Sequence, residues 1–296
     1  MNATDVRTEP PLRHIFFPSD LSPESDRAFQ HVRLLASRFG AHTTVYHVLE
    51  IPAARWIRAA GREEELRGTV AAEVTRELTA RAEALTGTHD VLVDADVSAP
   101  SALADIAVLR RVRERNPDLV VMASHSRGAL GSFFLGSVAQ QVLQNAGRPV
   151  LIIGPGCRTR PDTYARVVVA TDLSEVSRRA FPMAGLIASR FDADVVAVYA
   201  VPRPLLTALA DHPQALAAVV PSAATLRSFV ADFAGCRVTP RVEQGAAWER
   251  IVAVAREEKA DLIVMATQGA DSLGDRLLGS QTERVIRHAP CPVLAV

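Results

Sequence analysis

Apolar residues recur along this chain in two alternating rhythms. Short unbroken runs read as buried strands: Ile15-Phe16-Phe17, Thr43 to Val48, Val91-Leu92-Val93, Leu119 to Met122 and Val150 to Ile153. Between them apolar positions follow helical spacing. Ala28, Phe29, Val32, Leu35, Ala36 and Phe39 make one helical face between Pro23 and Gly40, with Ser22 as N-cap and Pro23 at the first helical position. Leu66, Val70, Val74 and Leu78 recur every fourth residue among Glu and Arg, predicting an amphipathic surface helix. Further helices are expected over 106–112 and 137–145. Strand alternating with helix implies a parallel sheet covered on both faces.

After Gly154 to Pro161, a linker by composition, the pattern restarts. Val167 to Ala170 repeats the first strand, and Asp172-Leu173-Ser174 repeats Asp20-Leu21-Ser22. Ala180, Phe181, Ala184, Ile187, Ala188 and Phe191 answer the first helical face position for position. Pro182 lacks an N–H and should bend this second helix near its start. Strands follow at 195–199 and before Glu243, helices at 248–258 and 281–288, and Pro292 to Val296 closes the sheet. Pro213 and Pro221 break the stretch that answers the long surface helix. Such self-similarity means duplication. The fold class is therefore α/β, two tandem five-stranded parallel-sheet domains over residues 1–156 and 162–296. The last strands, Val150–Ile153 and Val293–Val296, would each be a bare apolar edge, so the two are expected to pair within the chain.

Composition narrows the function. The 296 residues carry 33 basic and 33 acidic side chains, a formal net charge of +0, with no basic stripe for nucleic acid. Lys259 is the only lysine, so a Walker-type or Schiff-base lysine is excluded unless it serves, and its place after Glu257-Glu258 suits solvated surface. Cys157, Cys236 and Cys291 form no C-x-x-C pair and fit a reducing cytosol. Residues before Leu12 read as a frayed polar leader, not a signal peptide. No run approaches the ~20 apolar residues of a membrane span, and a cytoplasmic protein is expected.

The stretch with chemical promise occurs twice. Asp118 to Ser126 and Asp261 to Gly269 each read as a strand running into a loop, and Gly136-Ser137 and Gly279-Ser280 each open a helix, the serine read as N-cap. This arrangement aims free backbone N–H groups and the positive end of a helix at one spot beside the strand's carboxyl end, which suits a phosphate. The glycines also serve a plain turn and helix start. Asp20 and Asp172 either contact a ligand or cap their helices.

These residues resemble the universal stress protein family in tandem. The resemblance rests on Asp20 and Asp172 after the first strands, the repeated Asp-Leu-x-Val-Met strand, the Gly-Ser helix openings and His288-Ala289-Pro290-Cys291-Pro292-Val293. It implies ATP binding through a loop of the form G-x-x-G-(nine residues)-G-[ST]. Carried over, Ala266, Gly269, Gly279 and Ser280 hold the phosphates in the second half. The first half keeps only Gly136 and Ser137, with Ala123 and Ser126 at the other glycine positions. Asp20 and Asp172 match a residue near ribose and adenine, and Val48 and Ala200 a backbone contact to adenine. The second half is thus the better nucleotide site, with Mg2+ arriving only with nucleotide. Family members commonly dimerise, and protein partners remain to be named.

No catalytic constellation emerges. His125 lies between Ser124 and Ser126, but adjacent side chains rarely converge, no orienting acid is evident, and Gln268 replaces it in the second copy. His14, His31, His42, His47 and His89 lack helical i, i+4 pairing for a metal. Trp56 and Trp248 read as packing residues. The leading expectation is a cytoplasmic stress-response protein that is not a metabolic enzyme and binds ATP or a related adenine nucleotide. The alternatives are a nucleotide-free interaction scaffold and a slow ATP hydrolase.

Overall fold

The computed structural model describes residues 12–48, 63–86, 91–96, 104–124, 135–157, 162–212, 214–215, 220–231, 236–267 and 279–296. The expected leader, Trp56, His89, His125, Ser126, Pro213, Gln268 and Gly269 lie outside them. The first half runs β1 (His14–Pro18), α1 (Pro23–Phe39), β2 (His42–Val48), α2 (Glu63–Thr86), β3 (Val91–Asp96), α3 (Ala104–Arg115), β4 (Leu119–Ala123), α4 (Ser137–Asn145) and β5 (Val150–Ile153). The second runs β6 (Arg166–Ala170), α5 (Glu175–Arg178), α6 (Ala180–Phe191), β7 (Asp194–Val201), α7 (Arg203–Ala208) and α8 (Ala223–Ala231). It continues through β8 (Val238–Gln244), α9 (Ala247–Glu257), β9 (Leu262–Met265), α10 (Ser280–His288) and β10 (Val293–Ala295).

All strands join one ten-stranded sheet of order β3-β2-β1-β4-β5-β10-β9-β6-β7-β8. Within each half the pairings are parallel. The halves meet as expected, β5 against β10, antiparallel, with Val293 opposite Ile152, Leu294 opposite Leu151 and Ala295 opposite Val150. This register keeps each side chain on the face where its partner lies, and a slip of one residue would invert all three. Antiparallel pairing also reverses the second half, so the carboxyl ends of the two sets of strands lie at opposite edges of the sheet.

The apolar interior divides by sheet face, and each face draws on both halves. One face holds Ile15, Phe17, Leu151, Val167, Val169 and Leu294 beneath α1 and α6. The other holds Phe16, Tyr46, Ile152, Val168, Ile263 and Val293 beneath α3, α4, α9 and α10. Neighbouring residues in a strand alternate between the two, as the two-residue period demands. All twelve residues of the repeated helical faces are buried. Pro182 does more than bend its helix. Its ring clashes with the carbonyl four residues back, that of Arg178, and α5 ends there. The matching α1 runs unbroken for 17 residues.

Aromatic contacts fasten the halves beyond the sheet. Phe39 and Phe191 meet edge to face at 6.3 Å, with Arg38 over Phe191 at 5.3 Å and Arg190 over Phe39 at 5.5 Å. Exchange of these arginines across the twofold is the imprint of duplication. Tyr164 breaks the symmetry: buried just before β6, it bonds His31 Nδ1 of α1 at 2.8 Å. Burial raises its phenol well above the ordinary range. The linker itself packs closely. A Cβ on Gly156 would lie 2.8 Å from the Ala289 carbonyl oxygen, and Cys157 beyond it is buried, its thiol pushed up to about 12 by desolvation.

Gly156→Ala should therefore cost about 1–3 kcal/mol, the usual penalty for overpacking, seen as a lower urea midpoint with unchanged slope. An unchanged midpoint would mean that the linker is not seated on Ala289.

Candidate functional site

In the second half β6 and β9 pair only from Val167–Leu262 to Val169–Val264. Beyond that, Ala170 turns to β7 and Met265 to β10, and the helices that follow lie on opposite faces. Such divergence opens a crevice at the carboxyl ends of the strands, the usual ligand position in open α/β sheets. The first half repeats it between β1 and β4, which pair only at Ile15–Leu119 and Phe16–Val120. Asp172 and Thr171 border the second crevice from β6, and Ala266 and Thr267 border it from β9. Asp20, Ser124, Gly136 and Ser137 stand at the matching places in the first.

The Gly-Ser steps differ from expectation in two respects. Gly136 and Gly279, not the serines, are the N-caps, and Ser137 and Ser280 are the first helical residues. Neither cap makes a side-chain bond to its helix. Their φ values, −60° and −59°, suit any residue, so glycine serves here by its lack of a side chain. The Gly279 N–H is also not free: it donates to the Thr267 carbonyl at 2.9 Å, as Gly136 N–H does to Ser124 at 2.8 Å. The first intrahelical bonds come from Glu283 to Gly279 and from Gln140 to Gly136. The amides of Ser280, Gln281 and Thr282 are the donors that the first turn of α10 leaves without an intrahelical partner.

Ala266 is buried, and its carbonyl accepts from Thr282 Oγ1 at 3.2 Å. Thr267 N–H reaches the Val296 carbonyl at 2.9 Å. These bonds fix Ala266 and Thr267 just beyond β9. Val48 ends β2 opposite Asp96, and Ala200 lies on β7 opposite Glu243, both half-buried.

The two aspartates share an Asp-Leu-Ser triplet but not an environment. Asp20 Oδ1 accepts from Ser22 N–H at 3.0 Å and from the Ser22 and Ser25 hydroxyls, each at 2.5 Å, so its carboxylate is drawn onto the start of α1. Asp172 Oδ1 accepts from Ser174 N–H at 3.0 Å, yet the residue stays exposed. The difference originates one residue earlier. Thr171 Oγ1 engages the Ser177 hydroxyl at 2.8 Å, and Ser177 also donates to the Ser174 carbonyl. The serine matching Ser25 is thereby held away from the aspartate. Both leucines of the triplets adopt left-handed backbone, φ 61° at Leu21 and 63° at Leu173, a cost of roughly 1–2 kcal/mol for such a residue. Amides bonded to Ser19 Oγ and Thr171 Oγ1 hold them there.

Other residues here escaped the sequence reading. Burial raises the Tyr199 phenol, and the charge of Asp172 adds to the rise. Glu243 would be raised by burial, but hydrogen bonds from Arg241 and Arg250 outweigh it and hold the carboxyl below its usual range. Arg241 also reaches Glu257 and Glu258. A carboxylate so held is a poor proton acceptor near neutrality. The repeated Asp118 and Asp261 are structural. Their Oδ2 atoms accept from Arg13 and His14, and from Ala165 and Arg166, fixing the entry to β1 and β6. Trp248 packs on the interior and against His288 at 4.9 Å, as a packing residue should. Among the described residues no group of three or more metal-ligating side chains converges.

The universal stress protein family's sequence profile matches residues 11–154 and again 163–296. The chain belongs to the universal stress protein family. A universal stress protein of Methanocaldococcus jannaschii is 37% identical over 145 residues, covering 47% of this chain and 85% of that one. A universal stress protein of Mycolicibacterium smegmatis is 26% identical over 292 residues, 94% of each chain. The crystal structure of a universal stress protein from Archaeoglobus fulgidus superposes with a TM-score of 0.66 at 22% identity, over 95% of this chain and 97% of that one. It shows the same fold along almost the whole tandem.

Ser22 and Ser174 cap their helices through Ser25 N–H at 3.2 Å and Ser177 N–H at 3.1 Å. Loss of either should cost on the order of 1 kcal/mol. Ser22→Ala should cost more than Ser174→Ala in urea unfolding, because it also strips a donor from Asp20. Equal losses would show that the Asp20 bonds add nothing.

Proposed function

We propose that this universal stress protein is a cytoplasmic regulatory protein whose second half binds ATP or a related adenine nucleotide. The observation that carries the reading is the contrast between the aspartates beside two otherwise similar crevices. Asp20 is spent on its own helix, while Asp172 stands exposed on the crevice that α10 follows, a helix with no side-chain cap. In this reading the amides of Ser280, Gln281 and Thr282 receive phosphate oxygens. Asp172 takes the ribose hydroxyls, the Ala200 backbone lies along adenine, and Gly269 belongs to the phosphate loop. Magnesium comes only with the nucleotide. Binding then acts by linkage, stabilising the protein or altering the surface it offers to protein partners. Turnover plays no part in this reading, since Glu243 is committed to two arginines.

A nucleotide-free scaffold is the second reading, favoured by one feature: the Gly279 amide and the Ala266 carbonyl are already satisfied internally. In either case a homodimer needs a surface other than the β5–β10 seam. The β8 edge, with Pro240, Arg241 and Glu243, is poorly suited to strand addition.

Thermal melting with magnesium and millimolar ATP separates the readings. Nucleotide at a hundred times its Kd should stabilise by about 2.7 kcal/mol. Asp172→Ala and Gly279→Val should abolish the shift, whereas Asp20→Ala and Gly136→Val should keep it. No shift in the unmodified protein supports the scaffold, and loss only with the first-half variants would move the site to the other crevice.

A further inference from the structure

We propose that the stacked His14–His42 pair is an acid-sensitive latch on the amino edge of the first half, opening as pH falls below neutrality while the matching corner of the second half stays closed. His14 faces His42 as the first pair of the β1–β2 ladder, their rings 4.2 Å apart and inclined by only 16°. His14 is 9% exposed. Its Nε2 bonds the buried Thr44 hydroxyl at 2.9 Å, and the ring also bonds the Arg115 backbone at the end of α3. Its amide donates to Asp118 Oδ2 at 2.9 Å, and its carbonyl accepts from Asp118 N–H at 3.0 Å. The imidazole thus stands where β1, β2, α3 and the entry to β4 converge.

Among the described residues, the charged and titratable groups that face it are His42, Arg115 and Asp118. The charges of His42 and Arg115 oppose a proton on His14, and that of Asp118 favours one. The Asp118 carboxylate is shared with the Arg13 and His14 amides. A proton on His14 therefore enters a nearly closed site, stacked on a second imidazole. Desolvation lowers the His14 pKa from 6.5, and the charge of His42 lowers it further. Above the unfolded value both states are neutral there and the group adds nothing. As pH falls through it, the unfolded chain takes up a proton that the folded corner refuses, and stability declines until the folded value is passed.

The duplicate supplies an internal control. The first pair of the β6–β7 ladder is Arg166 opposite Asp194. Arg166 lies 3.7 Å from Asp194 and 3.5 Å from Glu258, and Glu258 also holds Arg241 at 3.1 Å. An arginine–carboxylate corner offers no imidazole to take up a proton between pH 7.5 and 5.5. One sheet thus carries a titrating corner and a fixed one at equivalent places.

Amide hydrogen exchange on the full chain at pH 7.5 and 5.5, corrected for intrinsic rates, tests this. Protection in β1 and β2 should fall relative to β6 and β7, by up to about ten-fold at pH 5.5, one unit below the ordinary histidine value. His14→Gln, which keeps a hydrogen bond to Thr44 and cannot ionise, should remove the difference. Should that variant fold poorly, His42→Gln should shrink it, and the C2 proton of His14 in the unmodified protein should titrate with a midpoint below 6.5. Equal losses in both halves, a difference that survives His14→Gln, or a His14 midpoint at or above 6.5 would overturn the proposal.

Discussion

The antiparallel pairing of β5 with β10 is the constraint on which the rest of this molecule depends. Three residue pairs join two parallel five-stranded layers into one sheet. Without it, Val150–Ile153 and Val293–Ala295 would be bare apolar edges, prone to pair with other chains. With it, each face of the sheet carries an interior shared by both halves. Phe39 meets Phe191, and Tyr164 reaches His31. The same pairing sends the two crevices to opposite edges, so a ligand in one has no direct contact with the other.

Most of the architecture was legible because it rests on periodicity. The strands and principal helices follow from apolar spacing, and the six-residue helical face repeats so closely that duplication follows from Ala28–Phe39 against Ala180–Phe191. Pro182 was visible as a disturbance, but its consequence, a break at Arg178, depended on where the carbonyl four residues earlier falls. The left-handed Leu21 and Leu173 were not legible, since nothing in a leucine announces positive φ. Their conformation is imposed by hydroxyls at Ser19 and Thr171 and by the caps at Ser22 and Ser174. The exchange of Arg38 and Arg190 over each other's phenylalanine is likewise a tertiary fact.

The candidate site was legible in outline only. The crevices, the helix openings and the aspartates lie where the repeated motifs imply. Yet the serines of the Gly-Ser steps are not caps, because each helix begins one residue earlier than the motif suggests, and the Gly279 amide is engaged. The sharpest difference between the halves is invisible in the identical Asp-Leu-Ser triplets. It comes from Thr171 in place of Ser19: the threonine hydroxyl captures Ser177, and Asp172, bonded to the Ser174 amide, stays exposed. Asp118 and Asp261 show the converse. Their repetition resembles a functional signature, and the structure uses them to fasten strand entries.

Whether the seam makes one cooperative body is measured most directly by hydrogen exchange of the β5 and β10 amides across a urea series. The account predicts that at pH 7.5, where the His14 corner is closed, both strands, together with β1 and β6, lose protection at a common midpoint, because they share both interiors. Separate midpoints for the strands before and after the linker would contradict it, since the halves would then be independent domains that merely touch at their edges.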